Sequence, residues 1–306
     1  MIRRFRVEDA PAAVELLRTV AVDWTTSARS LLHRLGAHPP RARQAAWVAE
    51  EDGALVGLVR ARLRWEVSQR RVGWLWLGVE AERRRRGIGG ALADVAERHL
   101  REAGSEVVES FAAEESGRRF LAGREYRATG TEVLSRLHVP SADVSAFRDL
   151  QRAKAAEGFR VVRLGEARAR PRDVHAVYAA ASADVPEDFT VDDIGYREWV
   201  RECLADPDLS DASSAVVLHG DRPVSLAFVM ADGAGRAAND MTGTLPGFRR
   251  RGLARLAKLA TVRWAATEGI ESILAGNDED NEGMRSLNAS LGYRPIATQT
   301  TYVRSD

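Results

Sequence analysis

One arrangement occurs twice in this 306-residue chain, and its spacing limits what the chain can fold into. An apolar run, Trp74-Leu75-Trp76-Leu77-Gly78-Val79, leads into Arg84-Arg85-Arg86-Gly87-Ile88-Gly89-Gly90, and a helical pattern follows directly. The same order returns 165 positions later (252 − 87) at Arg249-Arg250-Arg251-Gly252-Leu253-Ala254. The offset extends beyond the loops: Gly104, a natural C′ residue behind the first helix, has its counterpart in Gly269. A repeat this long is a duplicated α/β domain, since solenoid units run to roughly 20–50 residues. The length also exceeds that of an ordinary single domain.

The rest of the chain reads as two passes through one order of elements. Residues 1–9 form a strand, with Asp9 a candidate N-cap and Pro11 near the helix start, where its missing N–H costs little. Val14, Leu17 and Val20 follow at helical spacing, whereas residues 24–44 are less periodic and broken by His38-Pro39-Pro40. The pair Asp52-Gly53 between apolar runs signals a hairpin. The strand at 72–79 delivers the chain to the loop, and Leu92, Val95, Ala96 and Leu100 mark the buried face of the helix behind it. Residues 139–157 are polar and read as a connecting helix or linker. The order restarts at Phe159, with a second hairpin at 215–228, a strand at 236–244, and a helix using Leu253, Leu256, Ala257, Ala260 and Trp264. The expected division is therefore 1–138, a linker at 139–157, and 158–306.

The doubled loop has a definite chemistry. Gly87 and Gly89 remove side chains, so a ligand can approach the backbone closely. The first-turn N–H groups of a helix have no intrahelical partners and sit at the positive end of its dipole. The flanking arginines add guanidinium donors suited to phosphate oxygens, which makes a pyrophosphate the natural guest. No Gly-Lys-Ser/Thr closes the loop, so it is not a Walker A sequence, and the three-glycine dinucleotide spacing is absent. One copy alone is also what a solvated helix start looks like; two copies at equal offset argue for a site.

The pattern Arg84-x-x-Gly87-x-Gly89, repeated as Arg249-x-x-Gly252-x-Ala254 after a strand, resembles the acetyl-CoA pyrophosphate loop of GNAT-type N-acetyltransferases. The second copy adds Asn277, Asn281, Met284, Leu287-Asn288 and Leu291-Gly292-Tyr293, which resemble that family's next motif. The resemblance covers essentially the whole chain as a tandem pair. It implies two GNAT-like α/β domains, each a mixed, mostly antiparallel twisted sheet flanked by helices, with a splayed central strand pair. It implies acetyl-CoA as cofactor and direct attack of an amine on the thioester, which needs a proton route, oxyanion donors and a proton for the leaving thiolate. Pantetheine would pair with Leu77-Gly78-Val79 or Thr242-Gly243-Thr244, and with Asn281. The phosphates would lie on Arg84, Arg85, Arg86, Gly87, Ile88, Gly89 and Gly90, or on Arg249, Arg250, Arg251, Gly252, Leu253 and Ala254.

This sequence departs from the family pattern where a tyrosine often serves as thiolate acid. Asn288 stands there in the second half and Leu121 in the first, where Glu125 replaces the motif glycine and Glu114 stands near the Asn281 equivalent. The expectation is that the first domain keeps a phosphate cradle, as a structural CoA site or a vestige, while chemistry sits in the second. Candidate bases are Asp240, on the strand entering the second cleft, and Asp184, with Glu187 and Asp188 beside it; Asn288 is the candidate donor near the thiolate. Tyr178 and Trp199 read as core or pocket wall.

Composition excludes several other classes. Forty-five basic residues against 44 acidic ones leave a net charge of +1, without the basic footprint of a nucleic-acid or membrane binder. Cys203 is the only cysteine, so no internal disulfide exists, and the six histidines show no metal-ligand spacing. No signal-peptide core and no apolar run of about 20 residues appears, which leaves a cytoplasmic protein as the expectation. The expected acceptor is a small amine: an amino sugar, an aminoglycoside-like antibiotic, or a cysteinyl pseudodisaccharide of the kind acylated by mycothiol synthase, another tandem member. The alternative from a different class is a CoA-binding sensor or scaffold without turnover.

Overall fold

The structure is a computed structural model that describes residues 1–21, 24–185, 189–192 and 194–305. The first pass runs β1 (Ile2–Arg4), α1 (Ala10–Val20), α2 (Ala28–Gly36), β2 (Ala45–Glu51), β3 (Ala54–Leu63), β4 (Val72–Val79), α3 (Ile88–Glu102), β5 (Val107–Ala112), α4 (Glu115–Ala122) and β6 (Arg127–His138). The second runs α5 (Ala146–Ala156), β7 (Phe159–Arg163), α6 (Leu164–Ala167), α7 (Pro171–Ser182), α8 (Tyr196–Trp199), β8 (Ala215–His219), β9 (Arg222–Ala231), β10 (Arg236–Thr244), α9 (Leu253–Thr267), β11 (Ser272–Asp278), α10 (Glu282–Ser290) and β12 (Arg294–Ser305). The chain divides into two compact units, Met1–Glu132 with Glu187–Asp192 and Thr298–Asp306, and Val133–Pro186 with Asp193–Ala297.

Each unit carries a mixed, mostly antiparallel sheet flanked by helices. In the first, the strands lie in the order β1-β2-β3-β4-β5, and the end of β12 adds antiparallel to β5, from Thr300↔Ala112 to Ser305↔Val107. In the second the order is β7-β8-β9-β10-β11, with β6 next to β11. The central pairs are parallel and short: β4 meets β5 only from Val72↔Val107 to Trp74↔Glu109, and β10 meets β11 only from Arg236↔Ser272 to Ala238↔Leu274. Beyond those residues the strands part. Behind each loop a helix closes one sheet face. Leu92, Ala96 and Leu100 of α3 pack against Trp47, Val59 and Leu75, and Leu253, Leu256, Ala257 and Ala260 of α9 against Val217, Ala227 and Val229. Each fully buried leucine contributes roughly 1.5–3 kcal/mol.

Three expectations change. The division at 138 and 158 differs from the compact units, because Thr300–Ser305 pairs with the first sheet rather than the second. A sequence repeat reports duplicated elements and does not say which sheet edge a final strand joins. The segment 139–157 is not a free linker: α5 buries Phe147 in the core of the second unit. Asp9 does not cap α1 with its side chain; its carboxylate takes two bonds of 2.8 Å from the Arg3 guanidinium and one of 2.7 Å from the Arg6 N–H.

Candidate active site

The two loops have nearly one backbone. A single 3-10 turn (81–83 and 246–248) precedes Arg84 at φ −66°, ψ 162° and Arg249 at φ −66°, ψ 163°. Arg85 and Arg250 then take left-handed φ values of 64° and 62°, and Gly87 and Gly252 values of 85° and 76°. The left-handed turn is what aims the chain back into a helix start, and at Gly87 and Gly252 it requires glycine. A Cβ at Gly87 or Gly90 would meet nothing within 4 Å, so the space before α3 is open. The N–H of Ala91 is the first in that helix to find an intrahelical carbonyl, Gly87 O at 3.0 Å. Those before it face outward as anion donors.

The three arginines of each loop do different work, which the sequence reading did not separate. The first is a brace. Arg84 Nε donates to Val79 O (3.0 Å) and its Nη1 to Glu114 Oε2 (2.5 Å) and Ser116 Oγ (3.1 Å). Arg249 repeats this with Nε donating to Thr244 O (3.2 Å) and Nη2 to Asp184. The third is drawn sideways: Arg86 lies 3.9 Å from Glu51, and Arg251 3.7 Å from Glu157 and over the Phe159 ring. The middle arginines, Arg85 and Arg250, are exposed and in no ion pair among the described residues. The Arg84 guanidinium holds the Glu114 carboxyl below its usual range, so Glu114 is a fixed anion and a poor proton acceptor.

The parting strands expose backbone. Because Glu80 N–H donates to Val56 O, the antiparallel alternation turns Gly78 and Trp76 toward β3 and leaves Leu77 and Val79 facing the gap beside β5. The second unit matches: Leu245 N–H donates to Val224 O, leaving Thr242 and Thr244 on the gap side of β10.

Here the resemblance between the units ends. The first gap opens into a cavity of about 740 Å³, lined by β4 from Trp76 to Val79, the end of α1 (Val20, Ala21), Phe111 and Ala112 of β5, and Gln299. At its other end it is lined by Arg84, Arg85, Gly87, Gly89 and Gly90, with Glu114–Gly117 and Phe120 alongside. In the second unit, α7 stands on β10: a Cβ at Gly243 would lie 2.1 Å from Ala181 Cβ and 3.2 Å from its Cα.

The sequence-nominated residues of the second unit are therefore found among protein partners. Asp184 is bound to Arg249. Asp240 lies at the β10 irregularity, its Oδ2 3.8 Å from Cys203 Sγ. Burial, with the Asp240 charge beside it, pushes the Cys203 thiol and the Tyr178 hydroxyl well above their usual values, so neither ionises near neutrality. Asn281 caps α10 by accepting from Met284 N–H (3.2 Å). Asn288 is buried, and its Nδ2 donates to Asn277 Oδ1 at 2.6 Å. Three polar atoms near this gap are buried without partners: Asn239 Oδ1, Thr242 Oγ1 and Asn288 Oδ1. Glu187 and Asp188 lie outside the described residues. Among the described residues, no group of His, Cys, Asp or Glu is placed to hold a metal ion, and no helix is long and apolar enough to cross a membrane.

Each unit is an α/β domain whose sheet parts beside a basic, glycine-bearing helix start. Residues 12–121 match the acetyltransferase (GNAT) family and residues 145–303 an acetyltransferase (GNAT) domain, and the chain belongs to the GNAT family with two such domains in tandem. Among solved structures it is similar to a tandem GNAT protein from the clavulanic acid biosynthesis pathway, at 17% identity over 100% of this chain and 98% of that one, TM-score 0.70. It is also similar to a GCN5-related N-acetyltransferase from Sphaerobacter thermophilus (15%, 100% and 95%, TM-score 0.66) and to a putative acetyltransferase from Pyrococcus horikoshii (14%, 100% and 89%, TM-score 0.59). At these identities the likeness is one of fold. No curated protein matches the chain.

Proposed function

We propose that this protein is an acyl-CoA-dependent N-acyltransferase that holds acetyl-CoA in the cleft of the first unit and acylates a small-molecule primary amine by direct attack. The observation that carries the reading is the cavity of about 740 Å³, which runs from the free backbone edge of β4 to the glycines before α3. The pyrophosphate fits the outward N–H groups of α3 and the unpaired Arg85, while Arg84 keeps the loop braced to Glu114. The pantetheine amides fit the Leu77 and Val79 edge, whose N–H groups are also donors for a tetrahedral oxyanion. The amine nitrogen bonds to the thioester carbonyl carbon, the C–S bond breaks, water receives the proton shed by nitrogen, and the thiolate takes one from solvent.

A second reading keeps the chemistry in the C-terminal unit, with acetyl-CoA along Thr242, Gly243, Thr244 and the loop from Arg249 to Ala254, and Asp240, Asp184 and Asn288 around the reacting atoms. The three orphaned atoms, Asn239 Oδ1, Thr242 Oγ1 and Asn288 Oδ1, favour it. Against it stand Ala181 on Gly243 and the capture of Arg249 by Asp184. Amine-dependent release of thiol from acetyl-CoA across a panel of small amines tests both. Gly90→Glu adds a carboxylate where a Cβ meets nothing, so the fold is expected to stay and turnover to fall by about a hundredfold. Unchanged turnover in that variant would move the chemistry to the second unit. Acetyl-CoA binding without thiol release for any amine would leave a CoA-binding sensor or scaffold.

A further inference from the structure

Three arginines of the first unit lie close together and largely buried on or just after β3, and two have carboxylate partners. Arg62 makes a paired contact with Glu66 (2.9 Å twice), and Arg64 meets Glu109 at 3.1 Å. Arg60 differs. It is 6% exposed, its Nε is buried without a partner, and it forms no hydrogen bond or ion pair among the described residues. Its guanidinium instead lies 5.0 Å from the Trp24 ring centroid and 5.7 Å from that of Trp74. Burial pulls its pKa down to about 9, and the charges of Arg34 and Arg62 add to the shift. Ring faces attract a cation, but they do not replace an anion for a desolvated one.

The position borders the cavity. Arg60 is the cross-strand partner of Trp76, a cavity-lining residue, and Trp24 stacks on Trp76 with centroids 4.6 Å apart. Trp74 packs on Phe111, another lining residue, at 5.8 Å. This is the end of the cavity away from the phosphate loop. The repeat supplies a control: Glu80 N–H bonds Val56 O as Leu245 N–H bonds Val224 O, which makes the buried, uncharged Phe228 the strand counterpart of Arg60. The cation thus belongs to the unit with the open cavity.

We propose that Arg60, in its box of Trp24, Trp74 and Trp76, recognises a carboxylate on the group that meets the thioester in the first cleft. The proposal rests on the reading that acyl transfer occurs in that cleft. A carboxylate is the planar, bidentate complement of a guanidinium. It can arrive on the amine acceptor or at the far end of a dicarboxylic acyl chain, and the two arms of the experiment separate these sources.

In the first arm, phenylalanine and its amide are compared as acceptors with acetyl-CoA. In the second, succinyl-CoA and acetyl-CoA are compared with phenylethylamine. The expected result is at least about a tenfold preference in kcat/KM for the carboxylate-bearing partner in one arm, expressed in KM. Arg60→Met should reduce it to within about twofold, and Arg60→Lys should keep part of it. A direct readout does not need turnover: indole fluorescence should respond more strongly to phenylalanine than to its amide, or to succinyl-CoA than to acetyl-CoA, and the excess should vanish in Arg60→Met. If thiol release fails but the fluorescence excess persists, acyl transfer is lost and the carboxylate site stands. A preference that survives Arg60→Met, or no discrimination in either arm and no fluorescence excess, overturns the proposal; a structural arginine would change the melting temperature alone.

Discussion

Lys258 lies on α9 only 1% exposed, its ammonium 4.9 Å from the centroid of the Tyr293 ring. Burial pulls its pKa from the ordinary 10.5 down to about 7. Below about pH 7 both the folded and the unfolded chain carry the proton, and the folded state bears the full cost of the buried charge. Between about 7 and 10.5 the unfolded chain binds more protons, so stability rises with pH; above that range the cost is gone. Lys258→Met is therefore expected to stabilise by an amount on the order of 4–5 kcal/mol at pH 6. Urea unfolding of both proteins at pH 6, 8 and 10 checks this: the gap should shrink at each step, and a constant gap would mean that Lys258 keeps its ordinary pKa in the folded state. Sequence reading missed this residue and Arg60 for one reason. A charged residue in an amphipathic pattern looks solvated, and only the packing shows which cations lost their water. It also treated three adjacent arginines as equivalent, although their side chains diverge to a brace, a lateral contact and a free donor.

At the scale of elements, the strand–loop–helix units were legible because their signals are local: an apolar run, a glycine needed for left-handed backbone, then a 3.6-residue period. Gly104 and Gly269, at φ 83° and 69°, end the two helices as read. Helix α2 was not read, although Ser27 caps it by accepting from Ser30 N–H at 3.1 Å, because nine residues before a Pro-Pro pair show little period. How closely each helix stands on its strand was not legible either, since repeat partners Gly78 and Gly243 are the same letter. A Cβ at Gly78 would meet only side-chain ends, Val20 Cγ2 at 2.6 Å and Trp76 Cη2 at 2.7 Å. At Gly243 it meets the body of Ala181. Gly78→Ala is expected to cost about 1–2 kcal/mol and Gly243→Ala about 3 kcal/mol or more. Thermal midpoints rank the two; equal shifts would mean that α7 yields as easily as a side chain.

Across the whole chain, duplication was visible in the 165-residue offset. What the offset hid is that two loops with one backbone sit over unequal clefts. The motif residues beyond the loop, richer in the second half, pointed to the C-terminal unit; the cavity and the unpaired Arg60 point to the first. Motif letters near a thioester and open space for a cofactor are separate properties, and a buried asparagine such as Asn288 fits a filled site as well as an open one. The matched pair Arg85 and Arg250 separates the clefts without disturbing backbone, since both are exposed and share their left-handed φ. Calorimetric titration of acetyl-CoA into Arg85→Glu and Arg250→Glu is the most direct test. The first should bind at least about tenfold more weakly than the unaltered protein, and the second within about twofold of it. The opposite ranking would contradict a first-unit cofactor site.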